Sequence, residues 1–317
     1  MKRYAREIWV SAALGFMLVA LAFLAPSFYR VTPLLSLLTR EAPALIVTCG
    51  VALVLIARQV DISVGSQFAV CSVCAGLLAA LHWPIGLVLV AAMCLGALLG
   101  AINGLFVASW GLPSIVVTLA TMVTWREALR WEREGAFVNL PGGLQWFGLS
   151  QTAGQVVIVS VAGFVLVALG LATRHLAAGR MIYAVGSDTE AARLAGIRPR
   201  LVIFSLFVGV GILTGLAAVL NIVQSPQVDP KSGTGYELMA IAGAVVGGVA
   251  ISGGRGNVWG TFTGFLLLAC VSPALIHLHI EPYCERAIIG GVILAAVLGD
   301  GITSKRKPPL LQTTMVT

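Results

Sequence analysis

Apolar residues gather along the chain in ten blocks, at 8–25, 42–57, 63–81, 85–109, 113–131, 155–173, 200–220, 237–251, 258–276 and 287–301, while polar and turn-forming residues fall mostly in the gaps. A helix needs about 20 mostly apolar residues to cross a bilayer, so the pattern predicts about ten spans. The gaps carry the chemistry of chain reversal: Pro26, Pro84 and Pro113 at block edges, Pro141-Gly142-Gly143, Pro226 with Pro230, and Ser252-Gly253-Gly254. The expected fold is all-α and polytopic, a single transmembrane domain over 1–317 with its longest inner loop at 174–200 and a tail at 302–317.

Composition agrees with this reading. Of 317 residues, 58% are hydrophobic and 10% charged, against roughly 45–50% and about 25% in a soluble domain. The 36 glycines sit inside apolar blocks, where they serve close helix packing in lipid. Six cysteines are scattered, five of them within hydrophobic stretches, which argues against a disulfide framework or a zinc site. The net charge of +7 becomes a question of sidedness. With the amino terminus inside and the chain alternating, most basic residues fall on the inner side, among them Arg58, Arg174, Arg180, Arg193, Arg198, Arg200, Arg255, Lys305, Arg306 and Lys307. Both termini are therefore expected in the cytoplasm. Lys2 to Arg6 ahead of an apolar stretch and Ala20-Leu21-Ala22 has the outline of a cleavable secretory signal. The apolar run continues to Ala25, however, and its loss would place the termini on opposite sides, so it is expected to remain as the first span. The pairs of blocks around 42–81 and 237–276 share a direction and a glycine- and serine-containing break, in the manner of an old duplication.

Helices in lipid associate through close packing and buried polar contacts rather than through the hydrophobic effect. Small residues four apart are thus expected at contacts: Gly96, Gly100 and Gly104 form one stripe, with Gly211 and Gly215, Gly243 and Gly247, and Gly260 and Gly264 forming others. Polar residues inside blocks are candidates for a translocation path. Asn103 is either a hydrogen-bond station on that path or glue between helices; Thr118, Thr121 and Thr124 either face the path or return their hydroxyls to their own helix. No Asp, Glu, Lys or Arg stands at the expected mid-membrane level, which argues against a carrier driven by an ion gradient.

The inner loop from Arg174 to Arg200 contains a short helix with its boundaries written in sequence. Ser187 followed by Glu190 makes a capping box, Asp188 favours the positive end of the helix dipole, and Gly196 supplies the left-handed stop. About two turns over 187–195 result, too few to be stable alone in water. Ala191, Ala192 and Ala195 give this helix a low profile suited to a groove in another protein, or to rest against its own subunit. On the outer side, 125–150 forms the longest loop. Arg126, Arg130 and Arg133 alternate there with Glu127, Glu132 and Glu134, as a docking surface or as a self-paired helical extension.

The stretch from Gly179 to Gly196, with Asp188, Glu190, Ala191, Ala192 and Arg193, resembles the coupling loop of permease subunits in bacterial ATP-binding-cassette sugar importers of the ribose, rhamnose and autoinducer-2 class. Gln59-Val60-Asp61-Ile62-Ser63-Val64-Gly65-Ser66 is similar to that family's Asp-Leu-Ser-Val-Gly segment. Tyr236 to Ala242, with Gly247-Gly248 and Ser252-Gly253-Gly254-Arg255-Gly256, resembles its second signature. Where many relatives carry two glycines ahead of the first signature, this chain has Ala57-Arg58-Gln59, and isoleucine replaces the leucine of the signature.

The resemblance implies a permease subunit in the bacterial inner membrane, paired with a second permease subunit that is identical or related. A periplasmic sugar-binding protein delivers substrate, and a cytoplasmic ATPase docks on 187–195. Asp61, Ser63, Asn103, Thr118 and Thr121 are its candidate path residues. ATP and Mg belong to the partner, since none of Lys2, Lys231, Lys305 or Lys307 follows a glycine as a P-loop requires; no cofactor, metal, nucleic acid or catalytic residue is expected in this chain. The rivals are a self-contained secondary sugar carrier and a membrane hydrolase, for which no deep serine and histidine pair is apparent.

Overall fold

The computed structural model describes residues 5–24 and 26–277, with single helical positions at 287, 288, 290, 291 and 294. The last predicted span and the tail lie largely outside the described residues. The other nine apolar blocks each coincide with helix: α1 (Ala5–Leu24), α2 (Val31–Ile56), α3 (Val64–Ala80), α4 (Ile85–Gly104), α5 (Ser114–Arg133), α6 (Gln151–His175), the short α7 (Ala177–Ser187) and α8 (Thr189–Leu194), α9 (Pro199–Ile222), α10 (Tyr236–Val246), α11 (Val258–Ala269) and α12 (Val271–His277). Among the described residues five helical stretches are long and apolar enough to cross a membrane, and α1, α3 and α10 supply shorter apolar helix. The chain is a helical, multi-pass integral membrane protein.

Helix boundaries depart from the hydropathy blocks where proline intervenes. α2 begins at Val31 rather than 42, because Pro33 sits in the first turn, where its missing N–H is not needed. Pro43 inside α2 leaves the Thr39 carbonyl without its helical donor. Gln224 Nε2 supplies one from beyond the end of α9, at 3.3 Å. The block 258–276 is divided at Cys270; the ring of Pro273 crowds the carbonyl four residues back, that of Ala269, where α11 ends.

From Ala42 to Ile56 every residue of α2 is buried, enclosed by α6, α9, α10 and α11. The most extensive packing joins α4 to α9. There the glycine stripe brings backbone against backbone: a Cβ at Gly96 would overlap the Gly211 carbonyl, one at Gly100 the Phe207 carbonyl, and one at Gly215 the Ala92 carbonyl. A second bare contact sets Gly247 and Gly243 of the α10 end against Gly260, Gly264 and Phe265 of α11.

At one end of the bundle lie α7 and α8, against the end of α2 and the start of α9. At the other end the connections 134–150 and 223–235 meet in a two-residue antiparallel pair, Val138 opposite Val228 and Asn139 opposite Gln227. Trp146 N–H donates to the Val223 carbonyl at 2.8 Å beside it. The first part of the expected outer loop is not loop: α5 continues through Arg133 and stops where Glu134 turns left-handed at φ 48°.

Candidate functional sites: a short exposed helix and a buried polar junction

Between α6 and α9 the chain forms two short helices, not one. α7 exists because Gly179, Ile182, Val185 and Gly186 recur on one face and are buried against the bundle. Ser187 is its last residue. The cap of α8 is Asp188, at φ −156° and ψ 108°, whose Oδ1 accepts from the Glu190 N–H at 2.9 Å and the Ala191 N–H at 3.0 Å. The expected capping box from Ser187 is thereby corrected by one residue: an aspartate reaches the same free N–H groups, and its charge is favoured by the helix dipole.

In α8 Ala192 is buried, whereas Glu190, Ala191, Arg193 and Leu194 are exposed, Leu194 at 80%. Arg193 Nη2 and Glu190 Oε1 pair at 2.5 Å on the outer face. That pair raises the guanidinium above its ordinary pKa through the hydrogen bond and the nearby charge. Gly196 follows at φ 84°, with its N–H on the Arg193 carbonyl at 3.0 Å and open space around it. The helix thus presents a charged pair and a bare leucine on a six-residue stub with little support of its own.

The second site begins where α2 stops. Gln59 N–H bonds to Val54 O at 3.0 Å and Arg58 N–H to Leu55 O at 2.9 Å, the pattern of a helix stop whose pivotal residue is left-handed. That residue is Arg58, at φ 64°, a conformation glycine adopts most readily. The Ala57-Arg58-Gln59 departure therefore bends the chain without a glycine.

Beyond the turn, Asp61, Ser63 and Gln67 are fully buried, as is Asn103 of α4. Asp61 Oδ1 accepts from Ser63 N–H at 2.9 Å and Ser63 Oγ at 2.6 Å, and Oδ2 accepts from Gln67 Nε2 at 3.3 Å. Ser63 Oγ also accepts from Gln67 Nε2 at 2.7 Å and from Asn103 Nδ2 at 2.8 Å, which uses its full hydrogen-bonding capacity. Burial outweighs the Ser63 and Gln67 donors, which favour the charged form, and holds the Asp61 carboxyl raised to about 6.

The junction reaches α5 by two routes. Thr121 Oγ1 donates to Asn103 Oδ1 at 2.9 Å. Val60 N–H donates to Ser114 Oγ at 3.1 Å, while Thr118 Oγ1 lies 3.4 Å from the Val60 carbonyl. Thr118 and Thr124 return their hydroxyls to the Ser114 and Ala120 carbonyls of their own helix, and the Val117 carbonyl, at 3.1 Å, is an alternative acceptor for the one Thr121 proton. Four of the five candidate path residues, Asp61, Ser63, Asn103 and Thr121, thus form one hydrogen-bonded chain from the 57–63 turn to α5, with Thr118 beside it. Ser114 and Gln67 complete the junction and were missed by sequence reasoning; both stand at helix starts beside turn residues, where a free polar side chain most often meets backbone.

The 57–63 turn is joined in its own right to the short helices. Gly254 N–H donates to the Ile56 carbonyl at 2.8 Å, supplying a partner for one of the carbonyls that a helix end leaves unsatisfied. Gly186 fits between the two so closely that a Cβ there would overlap the Ile56 carbonyl. One turn earlier on α7, Tyr183 Oη donates to the Gly256 carbonyl at 2.8 Å.

Residues 34–297 match the family model described as branched-chain amino acid transport system / permease component. The chain is 30% identical over 312 residues to the ribose import permease protein RbsC of Escherichia coli, covering 94% of this chain and 96% of that protein. It is 29% identical to its counterpart in Haemophilus influenzae, covering 93% of each. The autoinducer 2 import system permease protein LsrC of Klebsiella pneumoniae is 31% identical over 304 residues, 93% of this chain and 86% of that protein. No solved structure matches the chain.

Proposed function

The chain belongs to the family described as branched-chain amino acid transport system / permease component, and from that membership we propose that it carries a monosaccharide or the related autoinducer 2 inward across a bacterial inner membrane. It does so as the transmembrane subunit of an ATP-binding-cassette importer. Its relatives are import permeases for ribose and for autoinducer 2, which favours this reading over a self-contained carrier. In it the whole chain acts as one membrane domain with both termini in the cytoplasm. It pairs with a second permease subunit, receives substrate from a periplasmic binding protein and holds no cofactor, while ATP and Mg are bound by a separate cytoplasmic ATPase.

The observation that carries the docking site is α8: six residues exposing Glu190, Ala191, Arg193 and Leu194 while burying only Ala192. An isolated helix of this length is unstable in water, and one that holds its shape on a single buried alanine is suited to a groove in a partner. Asp61, Ser63, Asn103, Thr118 and Thr121 remain the candidate path residues in this reading, and their hydrogen bonds join the 57–63 turn to α5. Radiolabelled uptake in cells carrying the whole system tests the function. ATP-dependent accumulation of ribose, rhamnose or autoinducer 2 is expected, and uptake driven by an ion gradient with the ATPase deleted would overturn the reading.

A further inference from the structure

Three chain segments meet at the inner end of the bundle without side chains between them. The end of α2 offers the Ile56 carbonyl, the turn 247–257 offers the Gly254 N–H, and α7 presses Gly186 against both. Such a contact has no rotamers through which displacement can be absorbed, in contrast to a contact between flexible side chains. The buried face of Gly179, Ile182, Val185 and Gly186 seats α7 through apolar and backbone contact, which has no directional bond to resist small rolling. A directional hold lies three residues before Gly186, where Tyr183 Oη donates to the Gly256 carbonyl at 2.8 Å.

The two segments gripped by α7 lead in different directions. Ile56 continues into the 57–63 turn, whose Val60 N–H bonds to Ser114 Oγ of α5 at 3.1 Å and whose Ser63 bonds to Asn103 of α4 at 2.8 Å. Gly254 and Gly256 belong to the turn between α10 and α11, where Ala250 N–H closes on the Arg255 carbonyl at 3.0 Å. Both breaks that the sequence marks as related are therefore attached to one eleven-residue helix.

We infer that Tyr183 is a positioning residue for energy coupling: its hydroxyl on the Gly256 carbonyl fixes the roll of α7, so that displacement of α8 moves the α2 end and the 247–257 turn together. Without that bond α7 has more freedom to roll on its buried face, and part of the displacement is lost before it reaches α3, α4 and α5. The inference rests on the proposed docking of an ATPase at α8.

The test is Tyr183→Phe in the complete transporter, reconstituted with its ATPase and binding protein. ATP hydrolysis and substrate uptake are measured on the same preparation. Phenylalanine keeps the ring and its packing, so assembly and thermal midpoint are expected to match the parent. ATP consumed per substrate moved is expected to rise roughly two- to tenfold, the range for loss of one coupling hydrogen bond. An unchanged ratio, or uptake and hydrolysis falling in equal proportion, would show that the hydroxyl only supports the fold and would overturn the inference. Absence of an ATPase from the parental preparation would instead overturn the docking reading, and the role of Tyr183 with it.

Discussion

Replacing Gly100 by leucine is expected to remove the folded chain from the membrane. The position a Cβ would take is already occupied by the Phe207 carbonyl, and the next nearest atoms, Phe207 C and Val208 Cα, are also backbone of α9. Inserting bulk into a packed core costs about 1–3 kcal/mol when side chains can move aside. Here only translation of a whole helix makes room. Because α4 also carries Asn103, that translation pulls its amide away from Ser63 Oγ and leaves fully buried polar groups unpaired, each costing about 1–3 kcal/mol. Against a total stability of about 5–15 kcal/mol the sum is severe. Gly209→Leu, on α9 but facing open space, is the matched control and is expected to leave the amount of monodisperse protein in detergent unchanged. Parental amount and thermal midpoint for Gly100→Leu would show that α4 and α9 are not held by backbone contact.

Gly196→Pro is expected to abolish uptake while leaving the chain inserted and folded. The glycine stands at φ 84°, and proline is locked near −65°, so the stop after α8 cannot form. The N–H that bonds to the Arg193 carbonyl is lost as well. The segment must be rebuilt, and Arg193 and Leu194 move with it. Open space surrounds Gly196, so the disturbance stays at the tip of the loop and does not enter the bundle. Glu190→Lys acts on the same surface by charge alone. The exposed Glu190–Arg193 pair contributes little to stability because solvent screens it, but its reversal places two cations side by side where a partner is to dock. At least about a tenfold loss of uptake is expected for either variant, corresponding to roughly 1.4 kcal/mol of lost coupling, with parental protein levels by immunoblot. Full uptake with either variant would count against docking at α8.

The ends of the helices show where sequence suffices and where it stops. Hydropathy placed a helix in every apolar block among the described residues, because lipid leaves the backbone no other way to satisfy its N–H and C=O groups. It placed the start of α2 eleven residues late, since Ser36, Thr39, Arg40 and Glu41 lower the average where the helix nevertheless continues, and nothing local reveals that Gln224 serves the carbonyl freed by Pro43. Spacing marked the bare faces at Gly96 and Gly100, but their partners, Gly211 and Phe207, lie more than a hundred residues away and follow only from packing.

The loop 174–200 was legible as helical and capped. Its division into α7 and α8 was not, because Ser187 and Asp188 are both good caps and the choice depends on Gly186 and Ser187 lying against Gly254. In the same way Asp61, Ser63 and Asn103 were visible as isolated polar residues. Their union depends on Ser63 Oγ standing within hydrogen-bond reach of Asp61, Gln67 and Asn103 at once, and the sequence holds no record of that distance.

A photoreactive benzoylphenylalanine in place of Leu194, 80% exposed at the tip of α8, offers the most direct measurement. Irradiated in cells that carry the complete transporter, it is expected to join the chain covalently to a cytosolic ATPase subunit, with a yield that changes when nucleotide is trapped. Capture of no ATPase, together with labelling of a cysteine at the same position by a membrane-impermeant reagent from outside the cell, would contradict a permease driven through α8.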